Sequence, residues 1–142
     1  MVMHGTTFIA RPVETVFAYV NDVANDKNWR TGVTESGLRS DQPLGVGTIG
    51  YTRAGEVEAE WKVVGYIPGE SMDWELTSGP FLGFGGYRFV PVEGGTEFTL
   101  VADVEPSGFY KLLGPVFAWM GHRQNQADVE KLRDILEAIP IK

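Results

Sequence analysis

An alternation of apolar and polar side chains, with a period of two residues, dominates the middle of this sequence. Between Val57 and Val63 every second residue is apolar, and the residues between them are Glu, Glu and Lys. This period is typical of a β-strand with one buried face. Short turns that contain Gly or Pro separate the alternating segments, which favours antiparallel hairpins. The predicted strands are residues 46–53, 57–67, 71–78, 84–92 and 96–105.

The last part of the chain has a helical period. Apolar residues recur at three- and four-residue spacing through residues 109–138, and the pattern stops before Pro140. This spacing predicts a single helix with a length on the order of 40 Å. A sheet with one apolar face needs cover on that face only. We therefore expect the long helix to pack against the apolar side of the sheet.

The first part of the chain predicts a strand followed by two short helices. Residues 2–10 are rich in β-forming side chains, and Pro12 is suited to the start of a helix over residues 12–20. A second short helix is expected over residues 23–29. Residues 32–37 resemble a loop, and a weaker strand is a candidate before Asp41.

The composition excludes several classes of function. The 142 residues carry a net charge of −7, which disfavours nucleic acid and anionic membranes as partners. There is no cysteine, and His4 and His122 are the only imidazole ligands, so neither a metal site nor another cofactor is expected. No secretion signal or membrane-spanning segment is recognisable. We expect one cytoplasmic domain over residues 1–142, without stable insertion into a membrane.

Several local features resemble a known superfamily. Residues 10–22 read ARPVETVFAYVND, with Pro followed by Val, a hydrophobic pair and Asp, and Trp29 ends the next short helix. Residues 87–89 read YRF, residues 94–96 read GGT, and the long helix comes last. Together these features are similar to the START/Bet v 1-like (SRPBCC) superfamily, and specifically to its bacterial polyketide cyclase/dehydrase and lipid-transport-like proteins.

The resemblance implies an α+β helix-grip fold. A curved antiparallel sheet of six or seven strands would wrap around the long C-terminal helix, with two short helices after the first strand. In this superfamily the gap between sheet and helix forms a hydrophobic cavity. Glycines within the strands, among them Gly50 and Gly85, are candidates for the bends of such a sheet.

Large apolar side chains on the inner face are the candidate ligand-binding residues. They fall on the apolar faces of successive strands or on one stripe of the C-terminal helix. With the resemblance, they suggest the lining of a cavity for a lipid-like or aromatic ligand; a filled core without a cavity is the alternative. The set is Trp61, Met72, Trp74, Tyr87, Phe89, Phe98, Leu113, Phe117 and Met120.

Two groups of polar residues are further candidates. Gln124 and Asp128 follow one another on the helix stripe that starts at Leu113, so either they project into the cavity or they lie at its rim in solvent. Gln124 is included in the ligand-binding set, because a neutral amide is cheaper to bury than a carboxylate. Tyr51, Arg53 and Arg88 are candidates for catalysis, with exposed strand positions as the alternative.

Three functions are compatible with these features. The first is binding or carriage of a hydrophobic small molecule in an internal cavity. The second is a polyketide aromatase/cyclase-dehydratase, although the sequence has no recognisable catalytic motif. The third is a coenzyme-Q-binding or toxin-type protein-interaction module. The identity of the ligand and the oligomeric state stay open.

Overall fold

The structure is a computed structural model that describes residues 2–41, 43–106 and 114–140. Within these residues the strands form one antiparallel sheet of seven strands, in the order β1-β7-β6-β5-β4-β3-β2. β1 and β2 are therefore the two edges of the sheet. The strands are β1 Val2–Ile9, β2 Glu35–Leu38, β3 Ile49–Ala54, β4 Val57–Ile67, β5 Ser71–Ser78, β6 Phe81–Val92 and β7 Gly95–Pro106.

Two short helices follow β1, as predicted. Helix α1 spans Val13–Asn21 and begins after Pro12, whose ring favours a first-turn position. Asp22 caps a 3-10 turn by accepting a hydrogen bond from the Ala24 amide at 3.2 Å. Helix α2 spans Asp26–Trp29 and follows this turn directly.

The long C-terminal helix is also confirmed. Helix α3 spans Gly114–Ala138, and the predicted residues 109–113 lie outside the described part of the chain. Its side chains Val129, Leu132 and Leu136 are buried in the main core against the sheet. No helix in the described residues is both long enough and apolar enough to cross a membrane.

Three strands begin more than one residue away from their predicted starts, and the other differences at strand ends are of one residue. β3 begins at Ile49 because residues 46–48 form a turn, in which Gly47 has a φ of 97°. β6 begins three residues earlier than predicted, at Phe81. β2 begins at Glu35, inside the segment predicted as a loop, and confirms the weaker strand before Asp41. Its residues have little intrinsic strand preference, so its pairing with β3 determines its structure.

Helix α3 covers the free edge of β1. Gly5 lies so close to α3 that a Cβ there would be 2.6 Å from the Asn125 carbonyl oxygen. The Thr6 amide donates to Gln126 Oε1, and Gln126 Nε2 donates to the Thr6 carbonyl, each at 3.0 Å. The Gln126 amide thereby takes the place of a neighbouring strand for Thr6, which protects an edge that would otherwise be open to pairing.

The C-terminal end of α3 is attached to the chain after β1. Arg11 donates from Nη2 to the carbonyls of Glu137 at 2.7 Å and Ile139 at 2.9 Å. These carbonyls belong to the last turn of the helix and the residue after it, where cationic donors are favoured. The middle of β1 and the chain after its C-terminal end are thus both fixed relative to the helix.

Replacement of Gly5 by Ala should therefore weaken the fold. The added methyl group would force α3 away from β1, at a cost of about 1–3 kcal/mol, which is usual for overpacking. Urea denaturation followed by tryptophan emission measures the free energy of unfolding. Gly45→Ala is the matched control, because a Cβ at Gly45 would meet only the Pro43 carbonyl oxygen, at 3.9 Å. A Gly5→Ala variant as stable as this control would contradict the close packing of α3 on β1.

Candidate functional site

A pocket lies between the inner face of the sheet and the segment that contains α2. Its volume is about 90 Å³, below the roughly 300–1,000 Å³ of sites for drug-sized ligands. That space suits about three waters or part of one small ring. One side of the pocket is aromatic and apolar, and the other is charged. The lining residues are Val23, Asp26, Arg30, Val33, Thr52, Trp61, Met72, Trp74 and Tyr87.

The aromatic wall depends on two glycines. Trp61 of β4 is paired with Gly50 of β3, and Trp74 of β5 is paired with Gly85 of β6. A Cβ at either glycine would overlap the indole of its partner. Each indole therefore occupies the space over a residue without a side chain. The sequence suggests Gly50 and Gly85 as candidates for bends, and the structure shows that they also have this packing role.

A hydroxyl network orients the Trp61 indole. Trp61 Nε1 donates to Thr52 Oγ1 at 3.0 Å, and Ser36 Oγ also hydrogen-bonds to Thr52 Oγ1, at 3.1 Å. Ser36 and Thr52 lie opposite each other in the β2–β3 pair. The short edge strand thus contributes to the position of the pocket wall.

Asp26, the first residue of α2, is a buried carboxylate at the charged side of the pocket. It is 7% exposed, and its Oδ1 atom has no hydrogen-bond partner among the described residues. Burial raises the pKa of Asp26 to about 6, although Arg30 and Ser36 favour its ionised form. A carboxyl group with such a pKa in a pocket can exchange a proton near neutral pH.

Arg30 is the cation of the site. Its Nη1 donates to the Tyr87 hydroxyl at 3.1 Å, and its side chain is 24% exposed. Burial opposes its charge, but Tyr87 and Asp26 outweigh that effect and raise the pKa of Arg30. Burial likewise raises the pKa of Tyr87, to about 12. At neutral pH the pocket thus presents a guanidinium beside a protonated phenol.

Helix α3 holds the segment after α2 in place through Asp128. This carboxylate is 1% exposed and accepts hydrogen bonds from the Thr31 amide at 3.1 Å and the Thr31 hydroxyl at 2.5 Å. Its Oδ2 lies 3.8 Å from Arg30 Nε. Burial raises the pKa of Asp128, and the hydrogen bond from the Thr31 side chain opposes that rise.

The structure places some of the predicted ligand-binding residues together in this pocket and others elsewhere. Trp61, Met72, Trp74 and Tyr87 line it. Phe89 and Phe98 are buried in the core and do not line it; the Phe98 ring stacks on Tyr87 with centroids 5.7 Å apart. Leu113 and the side chains of Phe117 and Met120 lie outside the described part of the structure.

The two polar candidates on α3 are placed differently from each other. Gln124 is exposed, donates to the Thr31 carbonyl at 3.3 Å and does not line this pocket, which corresponds to the predicted alternative of a position in solvent. Asp128 is buried, but it bonds to Thr31 instead of lining the pocket. The physical reason is the position of the apolar stripe, which passes through Val129, Leu132 and Leu136 and leaves Gln124 at its edge.

The residues predicted as candidates for catalysis lie on the outer face of the sheet. Tyr51 lies between the guanidiniums of Arg39 and Arg53, each 4.8 Å from the ring centroid. Arg88 forms an ion pair with Asp73 at 2.6 Å. None of these side chains lines the pocket between the sheet and the α2 segment; Arg88 is exposed, and Tyr51 and Arg53 are partly exposed.

Sequence analysis missed Asp26 and Arg30. They lie four residues apart across one helical turn, on either side of Trp29, and this spacing places two side chains on the same face of a helix. This spacing of an acidic and a basic residue around a tryptophan was the sequence feature that could have indicated the charged side of the pocket. In the described residues, no group of three or more His, Asp or Glu side chains is arranged to bind a metal ion.

Comparison with known families gives one match over nearly the whole chain. A family model for polyketide cyclase/dehydrase and lipid transport proteins matches residues 2–137. No curated protein matches the sequence at a significant level.

Solved structures with the same architecture are numerous. TTHA0849 from Thermus thermophilus has a TM-score of 0.81 at 17% identity, over 97% of this chain and 98% of that one. The Zhui aromatase/cyclase from a Streptomyces species has a TM-score of 0.78 at 13% identity, over 96% and 93%. Ara h 8.0201 has a TM-score of 0.74 at 10% identity, over 98% and 99%. At these identities the likeness confirms the helix-grip fold alone.

Asp26→Asn should stabilise the protein at neutral pH. The folded-state pKa of about 6 lies above the ordinary value of 3.8, so the folded state binds the proton more tightly than the unfolded chain does. The ionised carboxylate therefore costs up to about 3 kcal/mol above pH 6, and this cost disappears as the pH falls from 6 towards 3.8. The neutral amide avoids that cost.

Urea denaturation of the parent and of Asp26→Asn at pH 7.5 and pH 5.5 measures this effect. The stability advantage of the variant should decrease by about 1 kcal/mol between the two values of pH. Asp22→Asn is the control at pH 7.5, because Asp22 caps the 3-10 turn outside the pocket and Asn is an equally good cap. An Asp26→Asn variant less stable than the parent at pH 7.5 would contradict the buried, poorly compensated carboxylate.

Proposed function

The chain belongs to the polyketide cyclase/dehydrase and lipid transport family, and we propose that it binds a hydrophobic small molecule in the pocket beneath α2. The observation that carries this proposal is the aromatic wall. Trp61, Met72, Trp74 and Tyr87 project from three neighbouring strands onto one space that none of them fills. Large flat side chains around a partly open space are typical of small-molecule sites.

The arrangement of the aromatic wall favours the interpretation of the pocket as a binding site. The other interpretation is a gap left by imperfect packing. The indoles of Trp61 and Trp74 are kept against the sheet by Gly50 and Gly85. With larger residues at these two positions, the indoles would have to move into the pocket. Hydrogen bonding of Trp61 to Thr52 fixes one of the two rings further.

The volume limits what can enter this pocket. About 90 Å³ accommodates part of one ring or one short chain segment. A larger ligand of the lipid or polyketide type would place one end here and extend beyond the lining residues. We therefore expect the pocket to select for the end of the ligand that it encloses.

A cyclase or dehydratase activity is the second candidate, and the charged side of the pocket favours it. Such reactions need a group that exchanges protons and a group that stabilises an enolate oxygen. Asp26, with a pKa of about 6, suits the first role. The Arg30 guanidinium, adjacent to the Tyr87 hydroxyl, suits the second.

Titration with hydrophobic ligands tests the first proposal. Fatty acids, sterols and flavonoids are added while the tryptophan emission is recorded, and native mass spectrometry of the freshly purified protein detects a retained ligand. Binding should change the emission, because Trp61 and Trp74 form the wall. If no class changes the emission and the mass is that of the bare chain, the pocket is a packing feature.

Gly85→Ala should weaken this binding at least tenfold. The methyl group would displace the Trp74 indole into the pocket, whereas the fold retains its α3 contacts with β1. Gly45→Ala is again the control, because the nearest atom to a Cβ at that position is the Pro43 carbonyl oxygen, at an ordinary contact distance of 3.9 Å. Equal ligand affinities for Gly85→Ala and the control would exclude the Trp74 side of the pocket from the site.

A further inference from the structure

We propose that Asp26 and Arg30 together bind one hydroxyl group on a ring, as in a phenol or a cyclic enol. The hydroxyl hydrogen would be donated to Asp26 Oδ1, and its oxygen would accept a hydrogen bond from the Arg30 guanidinium. This inference rests on the proposed binding function and specifies which end of the ligand the pocket encloses. No covalent step is involved.

The first argument is the unpaired acceptor. Asp26 Oδ1 is buried, has no hydrogen-bond partner among the described residues and belongs to a side chain that lines the pocket. Buried polar atoms are rarely left unpaired, because removing them from water without a new partner is costly. A ligand that brings a donor to this oxygen would remove that cost.

The second argument is the unused donors of Arg30. Its Nη1 donates to Tyr87, but its Nε is buried and has no hydrogen-bond partner among the described residues. The nearest carboxylate oxygen, Asp128 Oδ2, is 3.8 Å from Nε, which is beyond hydrogen-bond distance. A guanidinium has five N–H donors, so Arg30 can also donate to an oxygen in the pocket.

The charges decide which ligand group fits both residues. A carboxylate would accept from Arg30 but has no hydrogen to donate to Asp26, and it would repel that anion. An ammonium group would donate to Asp26 but would be repelled by Arg30. A neutral hydroxyl is one group that donates and accepts at the same time.

The aromatic wall and the volume indicate that this hydroxyl is attached to a ring. Trp61, Trp74 and Tyr87 present flat apolar surfaces to the same space that Asp26 and Arg30 line. Aromatic rings pack well against such surfaces. With about 90 Å³ available, the site suits one ring edge better than a branched or polycyclic group.

Isothermal titration calorimetry at pH 7.5 with phenol, anisole and toluene tests the inference. Phenol has a donor and an acceptor, anisole has an acceptor only, and toluene has neither. The parent protein should bind phenol at least tenfold more tightly than anisole, and anisole more tightly than toluene. This order shows that the pocket supplies both an acceptor and a donor to the oxygen, and variants of Asp26 and Arg30 then test which residues supply them.

Two variants separate the two contacts. Asp26→Asn should reduce the preference for phenol over anisole to about threefold or less, because a charged acceptor forms the stronger hydrogen bond. Arg30→Met should weaken phenol and anisole relative to toluene. Asp22→Asn is the matched control, because this carboxylate lies four residues before Asp26 and does not line the pocket. Its removal lowers the pKa of Asp26, so Asp26 stays ionised at pH 7.5 and the preferences should match those of the parent. The urea midpoint of each variant confirms that it is folded.

The outcomes distinguish this inference from the proposed function. Equal affinities of the parent for phenol and anisole would overturn the hydroxyl site, while binding of either still supports a hydrophobic pocket. Binding of fatty acids, sterols or flavonoids without binding of any of the three ring probes would also overturn the hydroxyl site alone. If no compound of either series binds, both proposals are wrong. A preference for phenol that survives in folded Asp26→Asn would exclude Asp26 as the acceptor.

Discussion

Asp128 is a buried carboxylate on α3 that accepts two hydrogen bonds from Thr31 and lies 3.8 Å from Arg30 Nε. These contacts connect the long helix to the segment directly after α2. Helix α3 is itself fixed to β1 at Gly5 and Thr6, so the sheet, the helix and the α2 segment hold one another in place. The position of Arg30 above the aromatic wall depends on this connection. Loss of the Asp128 carboxylate would release one side of the pocket while the sheet remained paired.

The carboxylates near Arg30 are costly to bury. Asp26 lines the pocket, Asp128 lies on α3 outside the lining, and burial raises the pKa of each of them. An apolar cluster of similar volume is often at least as stable as a buried ion pair. Functional sites often contain charged groups that are costly to bury and that lie in a pocket. This cost is the physical reason to seek the ligand at Asp26 and Arg30 instead of at the apolar residues alone.

The sequence predicted the strands and helices whose local pattern is strong, and it predicted the weaker elements less well. β4 and β5 have the predicted boundaries, because short segments that contain Gly or Pro lie at both ends of each strand. β2 was only a weak candidate, and its start at Glu35 was missed, because Gly37 and Ser36 have little strand preference and the strand depends on pairing with β3. The Gly50–Trp61 and Gly85–Trp74 contacts join neighbouring strands, so register had to be known before they could be recognised.

The candidate site was predictable on its apolar side only. Trp61, Met72 and Trp74 followed from the alternation, since every second residue of an amphipathic strand faces the core. Asp26 and Arg30 flank a tryptophan at a helix of four residues, where charged side chains are usually exposed. Their burial results from packing against the sheet and α3, which no local pattern contains. Similarly, a small rotation of the stripe on α3 exposes Gln124 and buries Asp128.

Binding and catalysis would use the same two residues, and the acidity of the bound hydroxyl determines which of them occurs. A phenol has a pKa of about 10, whereas that of Asp26 is about 6. The proton then stays on the ligand by a factor of about ten thousand, and the pair acts only as a hydrogen-bonding site. Arg30 reduces this difference, because a guanidinium beside the oxygen stabilises the anion. For an enol or a carbon acid with a pKa of about 6, Asp26 would take the proton and Arg30 would hold the oxyanion. The same geometry thus supports a carrier for weakly acidic ligands and proton transfer for more acidic ones.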